Sequence, residues 1–176
     1  MVAAFDIGNT NTKIKIFTNT LPNDFFLDFD FNKTTLSFCL EDLKEIPLVK
    51  AFVVSSVVDN VNPLLIQEAQ KRNIPCFFIS QEVKAGIDFS LYQSAMGSDR
   101  VSSALGALSQ YPLPFCVVDM GTATTFSVIN NQGVYEGGFI LPGVKTMLKS
   151  LSAFTYKLPN LDLIKAPQNF LGLNTQ

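Results

Sequence analysis

Two copies of one short pattern, near the start of the chain and past its middle, constrain the fold more than any other feature. The second copy is Asp119-Met120-Gly121-Thr122-Ala123-Thr124-Thr125, entered by Val117-Val118 and left by the alternating run Phe126-Ser127-Val128-Ile129. The first is Asp6-Ile7-Gly8-Asn9-Thr10-Asn11-Thr12, entered by Val2-Ala3-Ala4-Phe5 and left by Ile14-Lys15-Ile16-Phe17. Each reads as strand, tight turn, strand, with an acid and hydroxyls at the bend. Asp6 matches Asp119, Gly8 matches Gly121 and Thr12 matches Thr125. An internal repeat of this kind implies two related units in one chain.

The chemistry of such a bend is specific. Glycine tolerates positive φ and lets a phosphate approach the backbone without meeting a Cβ. Successive turn N–H groups form an anion-binding concavity, to which Thr and Asn side chains add neutral donors. An aspartate cannot hold phosphate directly, but it can hold a hard cation that does. Two facing copies would clamp a metal-bound polyphosphate. The plainer alternative is a pair of ordinary β-turns in which Asp and Thr bond to the local backbone. Recurrence in matching strand context favours the phosphate reading.

Composition limits the rest. The chain has 176 residues, 47% of them apolar and 16% charged, with a net charge of −2. No basic cluster offers a footprint for nucleic acid. Cys39, Cys76 and Cys116 are odd in number, widely spaced and set in apolar runs, and read as buried thiols of a reducing compartment. Asp6 interrupts the first apolar run, which argues against a signal peptide. No apolar run approaches the roughly 20 residues of a membrane span. These features together lead us to expect a cytoplasmic protein. The sequence contains no histidine, so a proton acceptor working near neutrality is expected among the carboxylates.

In chain order, residues 2–7 and 12–18 read as a hairpin and Phe25 to Phe31 as a third strand with one wet face. A helix from Thr34 or Thr35 to about Glu45 follows, then a buried strand from Val49 to Ser55. Asn62-Pro63 is expected to be the N-cap and first helical residue of a helix to about Arg72, with a short strand from Cys76 to Ile79 beyond it. Gly97-Ser98-Asp99-Arg100 precedes an apolar stripe of Val101, Ala104, Leu105 and Leu108. With Ser98 as N-cap, Asp99 and Arg100 fall in the first helical turn. The helix dipole favours an acid there and disfavours a cation. Capping therefore accounts for Asp99, whereas Arg100 calls for an anionic partner: Asp99, another carboxylate or a ligand. Gly137-Gly138 inside the strand from Val134 to Ile140 predicts a bulge or a close backbone approach. Pro142-Gly143 opens a last helix with Val144, Met147, Leu148 and Leu151 as its apolar face. The expected architecture is α/β, with residues 1–113 and 114–176 as two related halves. The second half is the shorter and lacks the later strand and helix elements of the first.

Taken together, Asp6-Ile7-Gly8-Asn9-Thr10, Gly97-Ser98-Asp99-Arg100, Asp119-Met120-Gly121-Thr122-Ala123 and Gly137-Gly138-Phe139-Ile140-Leu141-Pro142-Gly143 resemble a type III pantothenate kinase. Gly172-Leu173-Asn174-Thr175 fits that family's G-x-N-T. The resemblance implies two ribonuclease-H-like halves of the actin-like ATPase fold, mixed sheets flanked by helices, with nucleotide and substrate in the cleft between them. It implies ATP-dependent phosphorylation of pantothenate, the first step toward coenzyme A. Asp6, Ile7, Gly8, Asn9, Thr10, Asn11, Thr12 and Lys13 would form the ATP phosphate site, with Asp6 near Mg²⁺. Lys13 stands where the family often has an apolar residue, and a solvated strand position is its plainer reading. Asp119 would bind K⁺ or ammonium, and Thr122 would contact ATP. Gly97, Ser98, Asp99 and Arg100 would hold pantothenate, with Asp99 as proton acceptor and Tyr92 as the upstream tyrosine. Thr175 would reach pantothenate across a homodimer interface. Partners would be the two substrates and a second copy, with no nucleic acid and no membrane. The family ordinarily continues past the N-T pair, which leaves part of the nucleotide site and of the dimer surface unaccounted for in this sequence. The same family includes the Bvg accessory factor, so a non-catalytic regulator is the alternative.

Overall fold

The structure is a computed structural model that describes residues 1–9, 12–17, 29–31 and 49–157, the stretch 29–31 by its backbone. The first sheet contains β1 (Val2–Ile7), β2 (Thr12–Phe17), β3 (Phe29–Phe31), β4 (Ala51–Ser56) and β5 (Cys76–Phe78) in the order β3-β2-β1-β4-β5. The β1–β2 and β2–β3 pairs are antiparallel, whereas β4 and β5 join in parallel. The hairpin is the expected one. Only residues 29–31 of the proposed third strand, and none of the proposed helix from Thr34, fall within the described residues.

Alternation decides which face is buried, because successive side chains of a strand point to opposite sides. Ala3, Phe5 and Ile7 of β1, Ile14 and Ile16 of β2, and Phe52 and Val54 of β4 all lie on one face and are buried. The helix α1 (Asn62–Lys71) closes that face with Leu65 and Ala69. Phe5 and Phe52 meet edge to face, ring centroids 4.9 Å apart. Burying each such side chain contributes about 1.5–3 kcal/mol. Asn62 is not the N-cap of α1. A 3₁₀ turn over Asp59–Val61 runs directly into the helix, so Val61 is the cap and Asn62 is already helical. The Asn62 Oδ1 is buried without a partner.

The second sheet holds β6 (Phe115–Met120), β7 (Ala123–Ile129) and β8 (Tyr135–Pro142), all antiparallel in the order β6-β7-β8. It repeats the antiparallel β1-β2-β3 arrangement of the first sheet. The expected irregularity at the glycine pair is present. The register slips between Val128 and Ile129, so that Val128 faces Gly137 while Ile129 faces Tyr135. A Cβ on Gly138 would also meet the Phe126 carbonyl oxygen at 1.8 Å.

The helix α2 (Ser98–Leu108) packs against β4 of the first sheet and against β6 and β7 of the second. Its Val101 and Ala104 join Ile87, Phe89, Met96, Ile129 and Tyr135 in a second core. The molecule is thus a mixed α/β structure of two sheets flanked by helices, with α2 touching both. The last helix, α3 (Val144–Phe154), starts where expected, but among the described residues nothing buries its Val144, Met147 and Leu151 face. The outer face of the second sheet, which carries Val118, Met120, Phe139 and Leu141, is likewise open. That face also explains Cys116, which is exposed rather than buried because it shares the bare side of β6 with Val118. Cys76 is half-buried, and burial raises its thiol pKa. Cys39 lies outside the described residues. Among the described residues no helix is long and apolar enough to cross a membrane.

Candidate active site

Each carboxylate of interest sits where an element ends. Asp6 is the penultimate residue of β1, Asp119 the penultimate residue of β6, and Asp99 the second residue of α2. The two strand ends are brought together by α2, whose N-terminus lies against the end of β4. The hydroxyl of Ser98 donates to the Ser56 carbonyl at 2.9 Å and accepts from Ser55 at 3.3 Å. Ser55 is in turn the register partner of Asp6, on the same face of the sheet. This bonding is why Ser98 does not cap the helix. Gly97 holds the N-cap position without a side-chain bond, and Ser98 uses its hydroxyl to anchor the helix to the first sheet. Asp99 and Arg100 nevertheless occupy the first turn, as expected.

The electrostatics record the convergence. Asp6 has its carboxyl pKa raised, first by partial burial among the strand ends and further by the charges of Asp99 and Asp119. Lys13 opposes these effects and lowers it. Lys13 is the direct cross-strand partner of Asp6, so it faces that carboxylate from β2 while remaining exposed. Three carboxylates from three elements therefore share one electrostatic neighbourhood. A like charge nearby disfavours the ionised form of a carboxyl, which is the direction seen at Asp6.

The first bend differs from the second in one respect that the repeat conceals. Asp119 pairs with Thr125, but Asp6 pairs with Lys13 and Thr12 pairs with Ile7. The first turn is one residue longer, and a slip of one residue moves a side chain to the opposite face. Thr12 is therefore buried on the Ile7 and Ile14 face and is not the equivalent of Thr125. Ile7 likewise sends its side chain into the core, while its carbonyl accepts from Val57 N–H at 3.0 Å. Gly8 and Asn9 follow at the bend; Thr10 and Asn11 lie outside the described residues, as does Thr175. In the second bend the Thr122 carbonyl accepts from Gly143 N–H at 2.9 Å and from the Thr146 hydroxyl at 2.8 Å, tying the turn to the start of α3.

Gly97 makes room for the acid. A Cβ there would lie 2.5 Å from Asp99 Oδ1, which itself accepts from Arg100 N–H at 2.8 Å. The Arg100 side chain runs the other way. It is only 7% exposed, and its guanidinium carbon lies 5.8 Å from the ring centroids of both Tyr92 and Tyr135. Its Nη2 donates to the Tyr135 hydroxyl, and its Nε is buried with no partner. No carboxylate among the described residues lies within ion-pair distance of it. Of the three anionic partners open to Arg100 from sequence, neither Asp99 nor another carboxylate of the described residues is paired with it. Tyr135 and Ser55 are the residues that sequence reasoning missed; the only signal for Tyr135 was its place two residues before the glycine pair.

A separate cavity of about 640 Å³ includes Tyr92, Phe89, Ile87, Lys84 and Gln132 in its lining. It shares Tyr92 with the site, but Asp6, Asp99 and Asp119 do not border it.

Comparison with known proteins agrees with these motifs. A family model for type III pantothenate kinase matches residues 2–176. This chain belongs to the type III pantothenate kinase family. A type III pantothenate kinase from Desulforapulum autotrophicum is 31% identical over 99% of this chain and 71% of its own length. One from Sulfurihydrogenibium is 33% identical over 99% of this chain and 73% of its own length. A solved Baf-family structure from Campylobacter jejuni shares the fold, with a TM-score of 0.58 at 23% identity over 95% of this chain and 68% of that one.

Proposed function

We propose that this chain catalyses ATP-dependent phosphorylation of the primary hydroxyl of pantothenate to 4'-phosphopantothenate, the first step toward coenzyme A. The observation that carries the reading is the shared neighbourhood of Asp6, Asp99 and Asp119, which come from the end of β1, the start of α2 and the end of β6. Residues 1–113 and 114–176 act in it as the two halves of a cleft.

Phosphoryl transfer needs positioning and charge neutralisation more than covalent chemistry. The bends at Gly8-Asn9 and Gly121-Thr122, with Thr10 and Asn11, are assigned to the phosphates. The donor set suits hard cations: carboxylate oxygens, one of them with a raised pKa, and no nitrogen or sulfur. No group of three or more His, Cys, Asp or Glu among the described residues is arranged to hold a metal alone. One or two carboxylates completed by water and phosphate oxygens is the common way to bind Mg²⁺. Asp6 would hold Mg²⁺ and Asp119 a monovalent K⁺ or ammonium ion; when bound, these ions supply positive charge to the phosphate oxygens. Asp99, held by the Arg100 backbone, accepts the hydroxyl proton. No strong base is needed, because a loose transition state leaves that proton on the oxygen until late. Arg100, caged by Tyr92 and Tyr135, receives the carboxylate at the other end of pantothenate. Thr175 from a second copy belongs to the same reading, as does a reducing cytoplasm.

Calorimetric titration of pantothenate with and without ATP and Mg²⁺, with ADP release followed in parallel, tests the proposal. Pantothenate-dependent ADP release with matching phosphopantothenate is the expected result. Binding without any turnover would overturn it in favour of a ligand-binding regulator.

A further inference from the structure

We propose that Tyr135 is a positioning residue for acceptor recognition, holding the Arg100 guanidinium so that its remaining donors face the anionic end of the acceptor. The inference rests on the assignment of Arg100 to the pantothenate carboxylate. Tyr135 is 1% exposed and lies in the second core, where Phe or Leu would fill the same space without a polar atom. A buried phenol requires a hydrogen-bond partner, and here the partner is Nη2 of Arg100. The arginine is buried as well, and no acidic side chain among the described residues lies within ion-pair distance of it. A guanidinium offers five N–H donors in a rigid fork, so fixing one nitrogen orients the rest. Tyr135 provides this fixed point, and the Tyr92 ring, perpendicular to it at 88° with centroids 5.7 Å apart, forms the second wall.

The β-bulge explains how Tyr135 comes to be there. Without the slip between Val128 and Ile129, Glu136 would pair with Ile129 and occupy the buried side of β8. The extra residue places Tyr135 opposite Ile129 instead and leaves Glu136 exposed, where it accepts from Asn130 at 2.9 Å. Bulges commonly re-aim a side chain in this way beside a functional site. Gly138 completes the arrangement, since a Cβ there would approach the Tyr135 hydroxyl to 3.0 Å.

The test compares pantothenate with pantothenol, which carries an uncharged alcohol in place of the carboxylate, in wild type, Tyr135→Phe and Arg100→Gln. In Tyr135→Phe, KM for pantothenate should rise by about 10-fold, with kcat and KM for ATP unchanged and the preference over pantothenol narrowed to match, as expected for losing one bond to a charged group. Phe89→Leu, which disturbs the ring packed beside Tyr135 and leaves the hydroxyl intact, should keep the preference. An unchanged preference in Tyr135→Phe beside a narrowed one in Arg100→Gln would overturn the role of Tyr135 alone. An unchanged preference in Arg100→Gln would overturn the assignment of Arg100 beneath it. An equal loss in Phe89→Leu would reduce Tyr135 to packing. Should Tyr135→Phe fail to fold, Tyr135→Met removes the same hydroxyl, and the same outcomes apply.

Discussion

Nη2 of Arg100 donates to the hydroxyl of Tyr135, a residue on another element, and among the described residues this is the one hydrogen bond of a guanidinium that has no acidic side chain of theirs within ion-pair distance. An uncompensated buried charge destabilises a fold, and replacing it with an apolar side chain is often neutral or stabilising. Removing the charge relieves that cost, but it also strips the buried Tyr135 hydroxyl of its partner, at about 1–3 kcal/mol. The two effects offset, so Arg100→Met should melt within a few degrees of wild type, while its affinity for pantothenate falls by about 10–100-fold, roughly 1.4–2.7 kcal/mol. A marked fall in Tm with unchanged affinity would mean that Arg100 is a structural residue.

Asp6 gives a pH dependence of definite sign. Its folded carboxyl pKa is raised, chiefly by desolvation. The stabilising contribution of its protonated form is complete below the ordinary carboxylate value and is lost as pH rises through the elevated folded value. At neutral pH the ionised Asp6 therefore costs stability. Asp6→Asn should melt above wild type near pH 7, with the gap closing as pH falls toward about 4. Added Mg²⁺ should raise the melting temperature of wild type more than that of the variant. A variant that melts below wild type at every pH would contradict the electrostatic picture.

Gly97 tests the placement of the acid without removing it. A methyl group at this position would crowd Asp99 Oδ1 at 2.5 Å and force the carboxylate off its present bond to Arg100 N–H. Gly97→Ala should lower kcat while leaving KM for ATP near wild type. The loss should be smaller than that for Asp99→Asn, for which loss of a positioned base predicts about 10²–10⁴-fold. Steady-state kinetics on both variants checks the ranking.

Ser98 links the acceptor helix to the first sheet through Ser56 and Ser55. Ser98→Ala should destabilise the protein by about 1–2 kcal/mol, or roughly 3–6 °C in Tm for a chain of this size. Thermal melting measures this directly. An unchanged Tm would show that the helix start is held by packing alone.

Much of this arrangement could be read from the residues. The apolar run at Val2 to Phe5 and the alternating runs at Thr12 to Phe17 and Phe126 to Ile129 became strands, the latter because alternation directly determines which face can be buried. The bends at Asp6 and Asp119 and the turn at Asp99-Arg100 were legible from glycines and from a cation placed against a helix dipole. The remainder depended on distance in space. Ser98 and Asn62 each looked like caps because cap propensity is local, yet a hydroxyl bonded to Ser56 and a 3₁₀ turn ahead of Asn62 decided otherwise. Thr12 looked equivalent to Thr125 because sequence spacing does not reveal how many residues a turn holds. The partnership of Tyr135 with Arg100 depends on a register slip in β8 that the glycine pair announced without fixing its direction.

The central claim is that Asp6, Asp99 and Asp119 serve one reaction although three separate elements carry them. Single-turnover transfer of the γ-phosphoryl of labelled ATP to pantothenate, measured in Asp6→Asn, Asp99→Asn and Asp119→Asn, tests it most directly. All three variants should stay folded and each should lose transfer by about 10²-fold or more. Wild-type transfer in Asp99→Asn, or in both strand-end variants, would contradict the account.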